Sequence, residues 1–362
     1  MASVEKSKEK YKKNQQKPIQ TIRFWIQVSF VLLCLWIGVE FFYFLKYLET
    51  AELEGSAYRP PGVEGFLPIS SLMSLYLFII SGDIHPVHPA GLFILLAAII
   101  ASFVVGKSFC SWFCPFGWLS ELLGDIGEKL FRRKIKIPKW FDYPLRGLKY
   151  LLLLFFGYSI FFLMTEASLR AFLDSPYNIV SDIKMYYFFA DISRLALIII
   201  VTLFFLSIPI RNFWCRYLCP YGALLGIMSL LSPLKIKRNG DNCIDCTKCA
   251  KVCPSFIKVD KISMVISDEC TSCLKCVDSC PVADTLELKP ISTQYTISKK
   301  YVALVIISLF ILITGLGMIS GNWKNNIKTD EYLYHQKYLH SYGHPTGTKE
   351  IRKLNKDTDK NN

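Results

Sequence analysis

Five apolar runs, Phe24 to Leu45, Pro89 to Gly106, Tyr150 to Met164, Leu195 to Ile210 and Tyr301 to Ile319, approach the ~20 residues a helix needs to cross ~30 Å of hydrocarbon. Several are short and must borrow flanking residues. A chain of 362 residues that is 52% hydrophobic cannot hide that much apolar surface in a water-soluble fold, so it belongs in a bilayer. Its net charge of +13 would suggest nucleic acid in a soluble protein. Here it reads as basic loops against anionic lipid headgroups, and nucleic acid is set aside.

Lys6, Lys8, Lys10, Lys12, Lys13, Lys17 and Arg23 precede the first run, and no small-residue cleavage site follows it. That pattern reads as a retained anchor with its amino end in the cytoplasm. The loop Lys107 to Lys149 carries "EKLFRRKIKIPKW" and falls on the same side by the positive-inside rule. A sixth run, Leu67 to Ile80, would reverse that orientation if it crossed, so it is expected to be re-entrant or interfacial. Five crossings leave the tail after Ile319 outside. Its Lys324, Lys328, Lys337, Lys349, Arg352, Lys353, Lys356 and Lys360 oppose that placement, which a break in the last span or a return of the tail would repair.

Thirteen cysteines are present, and twelve fall in four tight clusters. Clustering suits metal ligation, whereas disulfide frameworks scatter their cysteines. Cys34 stands alone in an apolar stretch and reads as a small buried hydrophobe. The strongest signal is "CIDCTKCAKVCP", Cys243 to Pro254, followed by "CTSCLKCVDSCP", Cys270 to Pro281. Each is C-x2-C-x2-C-x3-C-P, the run of bacterial two-cluster ferredoxins, whose fourth cysteine ligates the other cluster. By that crossed scheme Cys243, Cys246, Cys249 and Cys280 hold one 4Fe-4S cluster, and Cys270, Cys273, Cys276 and Cys253 hold the second. A zinc ribbon is the rival, but zinc commonly uses two C-x2-C pairs with a longer gap. "SFIKVDKISMVISDE" between the motifs suits short strands. A fold of about 50 residues leans on its metal for stability.

Two further motifs repeat. "FCSWFCPFGW" places Cys110 and Cys114, and "WCRYLCPYGA" places Cys215 and Cys219, 105 residues later. Each follows an apolar span and a basic residue (Lys107, Arg211), and each is followed by an aromatic (Phe116, Tyr221), a glycine (Gly117, Gly222) and a new apolar stretch. The duplication implies two half-units related by a pseudo-two-fold. If each pair is helical, its i and i+4 sulfurs share a face. Four thiolates meeting at the membrane surface have the ligand count of a third 4Fe-4S cluster. A redox-active dithiol, a transient metal site and four buried thiols stay open.

These motifs together resemble the NapH-type membrane polyferredoxins, whose relatives include NosR-type and CcoG-type proteins. The resemblance covers Pro89 to Leu288. It implies electron transfer between the quinol pool, or another reductant, and respiratory or metal-handling partners. The chain departs from the pattern in its re-entrant candidate, its fifth span and its long tail, and it carries no flavin-attachment motif of the NosR kind.

"SGDIHPVHPAG" places His85 and His88 near the outer face, as candidates for quinol binding, proton relay or haem ligation, against a plain interfacial role. Asp83, Glu40 and Glu166 are candidate acidic partners. His335, His340 and His344 in the tail are expected to be solvated. No C-x-x-C-H, P-loop or dinucleotide fingerprint occurs.

The expected fold is an integral membrane α-helical bundle of five spans and one re-entrant or interfacial segment, with a small α+β two-cluster ferredoxin domain. Its expected parts are a basic cytoplasmic amino terminus (1–23), a membrane domain with two half-repeats (24–234), the ferredoxin domain (235–290), a last span (291–320) and a polar tail (321–362). The expected function is that of a quinol-linked electron-transfer subunit in the bacterial inner membrane, with the ferredoxin domain cytoplasmic. Its partners are membrane lipid, the quinone pool and redox proteins. An oxidase-assembly or metal-reduction factor and a redox-sensing membrane regulator are the alternatives.

Overall fold

The computed structural model describes residues 12–50, 58–293 and 295–345; Lys6, Lys8, Lys10, Lys349, Arg352, Lys353, Lys356 and Lys360 lie outside them. The helices are α1 (Gln20–Thr50), α2 (Pro68–Ser81), α3 (Pro89–Val105), α4 (Ser108–Trp112), α5 (Pro115–Phe131), α6 (Lys139–Phe161), α7 (Glu166–Leu173), α8 (Pro176–Ile179), α9 (Ser181–Ala190), α10 (Arg194–Leu206), α11 (Pro220–Leu230), α12 (Lys248–Val252), α13 (Lys275–Asp278), α14 (Lys299–Ile319) and α15 (Thr329–Lys337). Pro68, Pro89, Pro115, Pro176 and Pro220 each open one of them. There the missing N–H costs nothing and the fixed φ already suits a helix.

Among the described residues, α1 and α14 are long and apolar enough to cross a membrane. The pair α6 and α7 bends by 106° and the pair α9 and α10 by 82°; counting each pair as one span gives four. The run at Pro89 to Gly106 is α3, 17 residues packed against α14, α11 and α2. The run at Leu67 to Ile80 is α2, whose 14 residues reach only about 21 Å at 1.5 Å per residue.

Helix α1, 31 residues and about 46 Å long, runs from one end of the molecule to the other. At its start Gln20 Nε2 donates to the Cys273 carbonyl at 2.9 Å. Near its finish Phe44 packs edge-on against Tyr332 at 5.5 Å. The tail therefore lies at the end opposite the cysteine segment. Helix α14 is continuous, so the last span has no break, and no return to the cysteine end is seen among the described residues of the tail. The tail is also not wholly solvated: His335 is buried, with Nδ1 2.9 Å from the Tyr342 hydroxyl, because α15 lays its Tyr332 side on the core of Phe41, Phe44, Leu48 and Ile183. His340 and His344 lie beside Tyr187 and Tyr177.

At the other end, β1 (Leu234–Arg238) pairs antiparallel with β2 (Leu286–Pro290), with Ile236 opposite Leu288. The named strands thus bracket the two C-x2-C motifs. The segment between the motifs, expected to supply strands, contributes an isolated bridge from Met264 to Lys237. Ile236, Leu286 and Leu288 share one core with Val105, Trp112, Leu225, Val302 and Ile306. The cysteine segment and the ends of the apolar helices are therefore welded rather than tethered.

Candidate iron-sulfur centres

The two C-x2-C-x2-C loops adopt one backbone form. The residue before the second cysteine has positive φ in both (Asp245 50°, Ser272 49°), as does the residue after it (Thr247 57°, Leu274 58°). Left-handed residues alternating with right-handed ones turn successive N–H groups inward into a concavity suited to anionic groups, Fe–S centres among them. Cys243, Cys246, Cys249 and Cys280 line one small cavity, which puts the last cysteine of the second motif beside the first three of the first. Burial pushes the Cys270 thiol up to about 12, and Cys273 and Cys253 are the next sulfurs that act on it. Cys276 is likewise pushed well up by burial and then by Cys273, Cys270 and Cys253. Two sets of four are thus grouped in the fold. Among the described residues no three Cys, His, Asp or Glu side chains are placed to hold a single metal ion.

The two Cys-x-x-x-Cys-Pro turns also match. Cys114 N donates to the Phe109 carbonyl and Cys219 N to the Trp214 carbonyl, each at 3.0 Å and each five residues back. Both second cysteines are extended residues capping the next helix, at φ −66°, ψ 120° and φ −75°, ψ 107°. The expectation of two cysteines on one regular helix is thereby corrected. Cys110 lies in α4 and Cys215 in a π-helical turn, Trp214–Leu218, while Cys114 and Cys219 lie outside these turns because the following proline cannot continue them. Gly117 fits against the Cys110 carbonyl, where a Cβ would collide. Gly222 donates its N–H to Cys219 Sγ at 3.2 Å.

Cys110, Cys114, Cys215 and Cys219 border one cleft. Burial pushes Cys110 up to about 11, with Cys219 next to it, and Cys215 up to about 12, with Cys219 and Cys110 next to it. Cys114 is pushed well up by burial and by Cys110 and Cys215. Lys107 is buried beside them. The Cys270 loop sits directly on the first turn: Ser111 Oγ donates to the Thr271 carbonyl at 2.6 Å and Trp112 Nε1 to the Ser272 carbonyl at 3.3 Å.

Sequence reasoning missed the charged residues that brace this joint. Glu121 receives Arg23 at 2.7 Å and Lys275 at 2.5 Å. Burial opposes its charge, but these two cations outweigh burial and hold the carboxyl well below the usual range. Fully buried Lys149 pairs with Glu269 and, at 3.3 Å, with Asp268. Asp142 takes Arg216 at 3.1 Å and the Tyr217 hydroxyl at 2.5 Å. Partners so far apart in sequence leave no local signal; the one hint was charge placed next to each cysteine turn.

His85 and His88 lie away from all three cysteine sets. His88 Nε2 is 2.7 Å from the Asn178 carbonyl, and its Nδ1 is 3.3 Å from Arg59 Nη2. Because Arg59 can only donate, Nδ1 accepts and Nε2–H donates, so both ring nitrogens are used within the fold. His85 Nε2 pairs with Asp174 at 3.1 Å. Of the acidic candidates, Asp83 and Glu166 both hold Arg170 and Glu40 lines a cleft along α1. The carboxylates beside His88 are Glu64 and Asp182, both on Arg59, at 2.8 and 2.6 Å.

The family described as a 4Fe-4S binding domain matches residues 87–138 and 195–239, one half-repeat each, and that described as a 4Fe-4S dicluster domain matches 236–288. The chain is 44% identical over 311 residues to YccM of Escherichia coli (strain K12), a protein named for electron transport, covering 84% of this chain and 87% of the relative. It is 31% identical over 174 residues to the ferredoxin-type protein NapH of Haemophilus influenzae, covering 46% and 55% of the two chains. It is 31% identical over 167 residues to the regulatory protein NosR of Pseudomonas aeruginosa, covering 45% of this chain and 22% of that one. No solved structure matches. With both half-repeats and the dicluster segment matched, and a relative aligned over most of both chains, the chain belongs to the NapH-type polyferredoxin family.

Proposed function

We propose that this protein carries electrons from membrane quinol to a partner on the side of its ferredoxin segment, using three cysteine-ligated centres. The observation that carries the reading is the docking of the Cys270 loop on the Cys110 turn through Ser111 and Trp112, which makes the cysteine sets contiguous. Cys110, Cys114, Cys215 and Cys219 would hold the centre nearest the membrane. Cys270, Cys273, Cys276 and Cys253 would hold the middle one, and Cys243, Cys246, Cys249 and Cys280 the outermost. When bound, such clusters supply one-electron carriers able to take, one at a time, the two electrons a quinol releases with its two protons on becoming quinone.

The protein's own part is to hold the sulfurs and exclude water. Lys12 and Lys13 pair with Ala283 and Val282 and Lys136 lies over Phe256, so basic residues border the ferredoxin segment, which supports a cytoplasmic placement there. The reading includes a multi-pass chain in the bacterial inner membrane, with the ferredoxin segment inside and the tail outside.

The test is iron and sulfide content after anaerobic purification. Changing any one of Cys110, Cys114, Cys215 or Cys219 to Ser should remove about four irons per chain, and changing two should remove no more, because ligands of one cubane are not additive. Iron unchanged in all four variants would exclude the third centre.

A further inference from the structure

Helix α5 rests on the cysteine end of the bundle by two of its sides and leaves a third uncovered. Ser120, Leu123, Gly124 and Gly127 are buried, and a Cβ on Gly127 would collide with the Ile208 carbonyl, just past the end of α10. Glu121, Asp125 and Glu128 form the second side. They reach Arg23 at the start of α1, Lys275 of the ferredoxin segment, and Arg211. The helix therefore lies across the ends of α1 and α10 instead of running beside them. The third side is Phe116, Leu119, Leu122, Ile126 and Leu130, spaced three and four residues apart as one helix face requires, and each is 38–68% exposed. At 3.6 residues per turn that stripe stands roughly 150° from the acidic side, so it looks away from the ferredoxin segment.

The second half-repeat shows what is missing. Helix α11 follows Cys219 and Pro220 as α5 follows Cys114 and Pro115, but α11 packs against α3 and α6. No described helix covers the stripe of α5. What borders the stripe identifies its occupant. Lys129, Arg132, Arg133 and Lys139 are exposed at its far end, and among the described residues none of them has a carboxylate partner, whereas Lys134 pairs with Glu128 at 3.6 Å. Trp140 and Tyr143 follow in the opening turns of α6, 78% and 62% exposed. Trp25, 62% exposed two residues beyond Arg23, continues the apolar surface onto α1, a helix of membrane-crossing length. An apolar stripe of about 21 Å, edged by unpaired cations and exposed aromatics, is the make-up of a helix lying in the headgroup boundary. The cations fix the sign of that boundary as an anionic leaflet.

We propose that α5 lies in the plane of the bilayer boundary, with its Phe116-to-Leu130 stripe among acyl chains and Lys129, Arg132, Arg133 and Lys139 on the phosphates of anionic phospholipids. Lipid then completes the first half-repeat where α6 completes the second. This surface needs no cluster and stands apart from the electron-transfer reading.

The experiment uses the full chain, purified with its iron into nanodiscs of equimolar phosphatidylcholine and phosphatidylglycerol. The photoreactive residue p-benzoylphenylalanine takes the place of Ile126 or of Leu130, and mass spectrometry identifies the adducts. Both positions should yield phospholipid adducts. At Leu130 phosphatidylglycerol should exceed phosphatidylcholine by about fivefold or more, the scale of one cation held at an anionic surface. The same probe in place of Leu312, exposed along α14, should give both lipids at the bulk ratio. Lys129→Gln, Arg132→Gln, Arg133→Gln and Lys139→Gln together should return the Leu130 ratio to bulk with iron per chain unchanged. Raising the salt to 1 M, where the Debye length is about 3 Å, should do the same in the chain without those four changes, which keeps the test intact if the fourfold variant folds poorly. Adducts to protein in native membranes would make the stripe a protein contact and overturn the proposal. Loss of lipid adducts at Ile126 and Leu130 while Leu312 gives them would place α5 in water and also overturn it. A bulk ratio at Leu130, or an enrichment that survives both the fourfold variant and high salt, would overturn the assignment to anionic headgroups.

Discussion

Gly106 joins α3 to the Cys110 turn, and replacing it tests whether that joint is as tightly determined as the geometry requires. Its φ of 74° and ψ of −173° lie in a region essentially reserved for glycine, where a side chain costs on the order of 1–3 kcal/mol. A Cβ there would also stand 2.6 Å from Ser272 Oγ, on the loop that carries Cys273. The second effect is the smaller one, because a serine hydroxyl can rotate away, so backbone strain should dominate. Gly106→Ala should therefore lose about 1–3 kcal/mol, roughly a five- to more than hundredfold change in the folding equilibrium. Adding Ser272→Ala should recover only a minor part. Gly222→Ala is the control: its Cβ would meet the Cys215 carbonyl at 3.4 Å and Lys107 Nζ at 3.5 Å, ordinary contacts, and alanine within a helix gains roughly 0.5–1 kcal/mol over glycine. Thermal unfolding in one detergent, read by loss of the iron chromophore and by near-UV circular dichroism, ranks the variants. If Gly106→Ala matched Gly222→Ala, or if Ser272→Ala restored it fully, the backbone argument would be wrong.

Three other outcomes are expected. Crossed ligation predicts that Cys243→Ser with Cys280→Ser removes about four irons per chain, no more than either alone, whereas Cys243→Ser with Cys253→Ser removes about eight; iron analysis that reversed the two pairs would assign each motif its own cluster. Arg59→Met should destabilise the tail end by about 3–5 kcal/mol, because Glu64 and Asp182, both fully buried, would lose their shared cation; a melting temperature close to wild type would contradict this. Glu121→Gln should cost about 2 kcal/mol at neutral pH, the scale of hydrogen bonds to charged groups. The Glu121 carboxyl is depressed in the fold relative to its ordinary 4.5, so its contribution is present above that value and lost as pH falls through the folded one. The gap between variant and wild type should close on acidification, and a gap that widened would refute the sign.

Much of the site was legible because cluster ligation is written in short spacings. The eight ferredoxin cysteines and the 105-residue repeat of the other four needed no knowledge of packing. The backbone of the repeat was less legible: Pro115 and Pro220 were visible, but their effect, ending the turn so that the second cysteine caps the next helix, depends on where the chain goes next. The strands were misplaced because β1 and β2 pair from either side of the two motifs, a long-range pairing with no local signal, while the segment between the motifs contributes an isolated bridge. His335 was misread because a polar helix such as α15 carries no apolar stripe to announce burial; its few contacts, Tyr332 against Phe44 among them, are tertiary. The five-span count rested on hydropathy and loop charge, whereas by length and apolarity two described helices, α1 and α14, could cross a membrane, or four spans if each bent pair is one.

The same tertiary contacts explain why a segment of ferredoxin size is built into this chain rather than hung from it. The stretch before α1 adds backbone bonds to the last cysteine turn: Asn14 N to the Pro281 carbonyl and Ala283 N to the Lys12 carbonyl, both at 2.9 Å. Asn14 Nδ2 reaches the Cys280 carbonyl itself at 3.0 Å. Asp278 then takes the Ile19 N–H at 2.9 Å and Lys299 at 2.6 Å, so one carboxylate ties the start of α1 to the start of α14. A flexible tether would leave the separation of the cysteine sets to thermal motion. Two membrane-length helices locked to the same short turn fix it, and the order in which the three sets succeed one another from the cleft outward becomes a property of the fold.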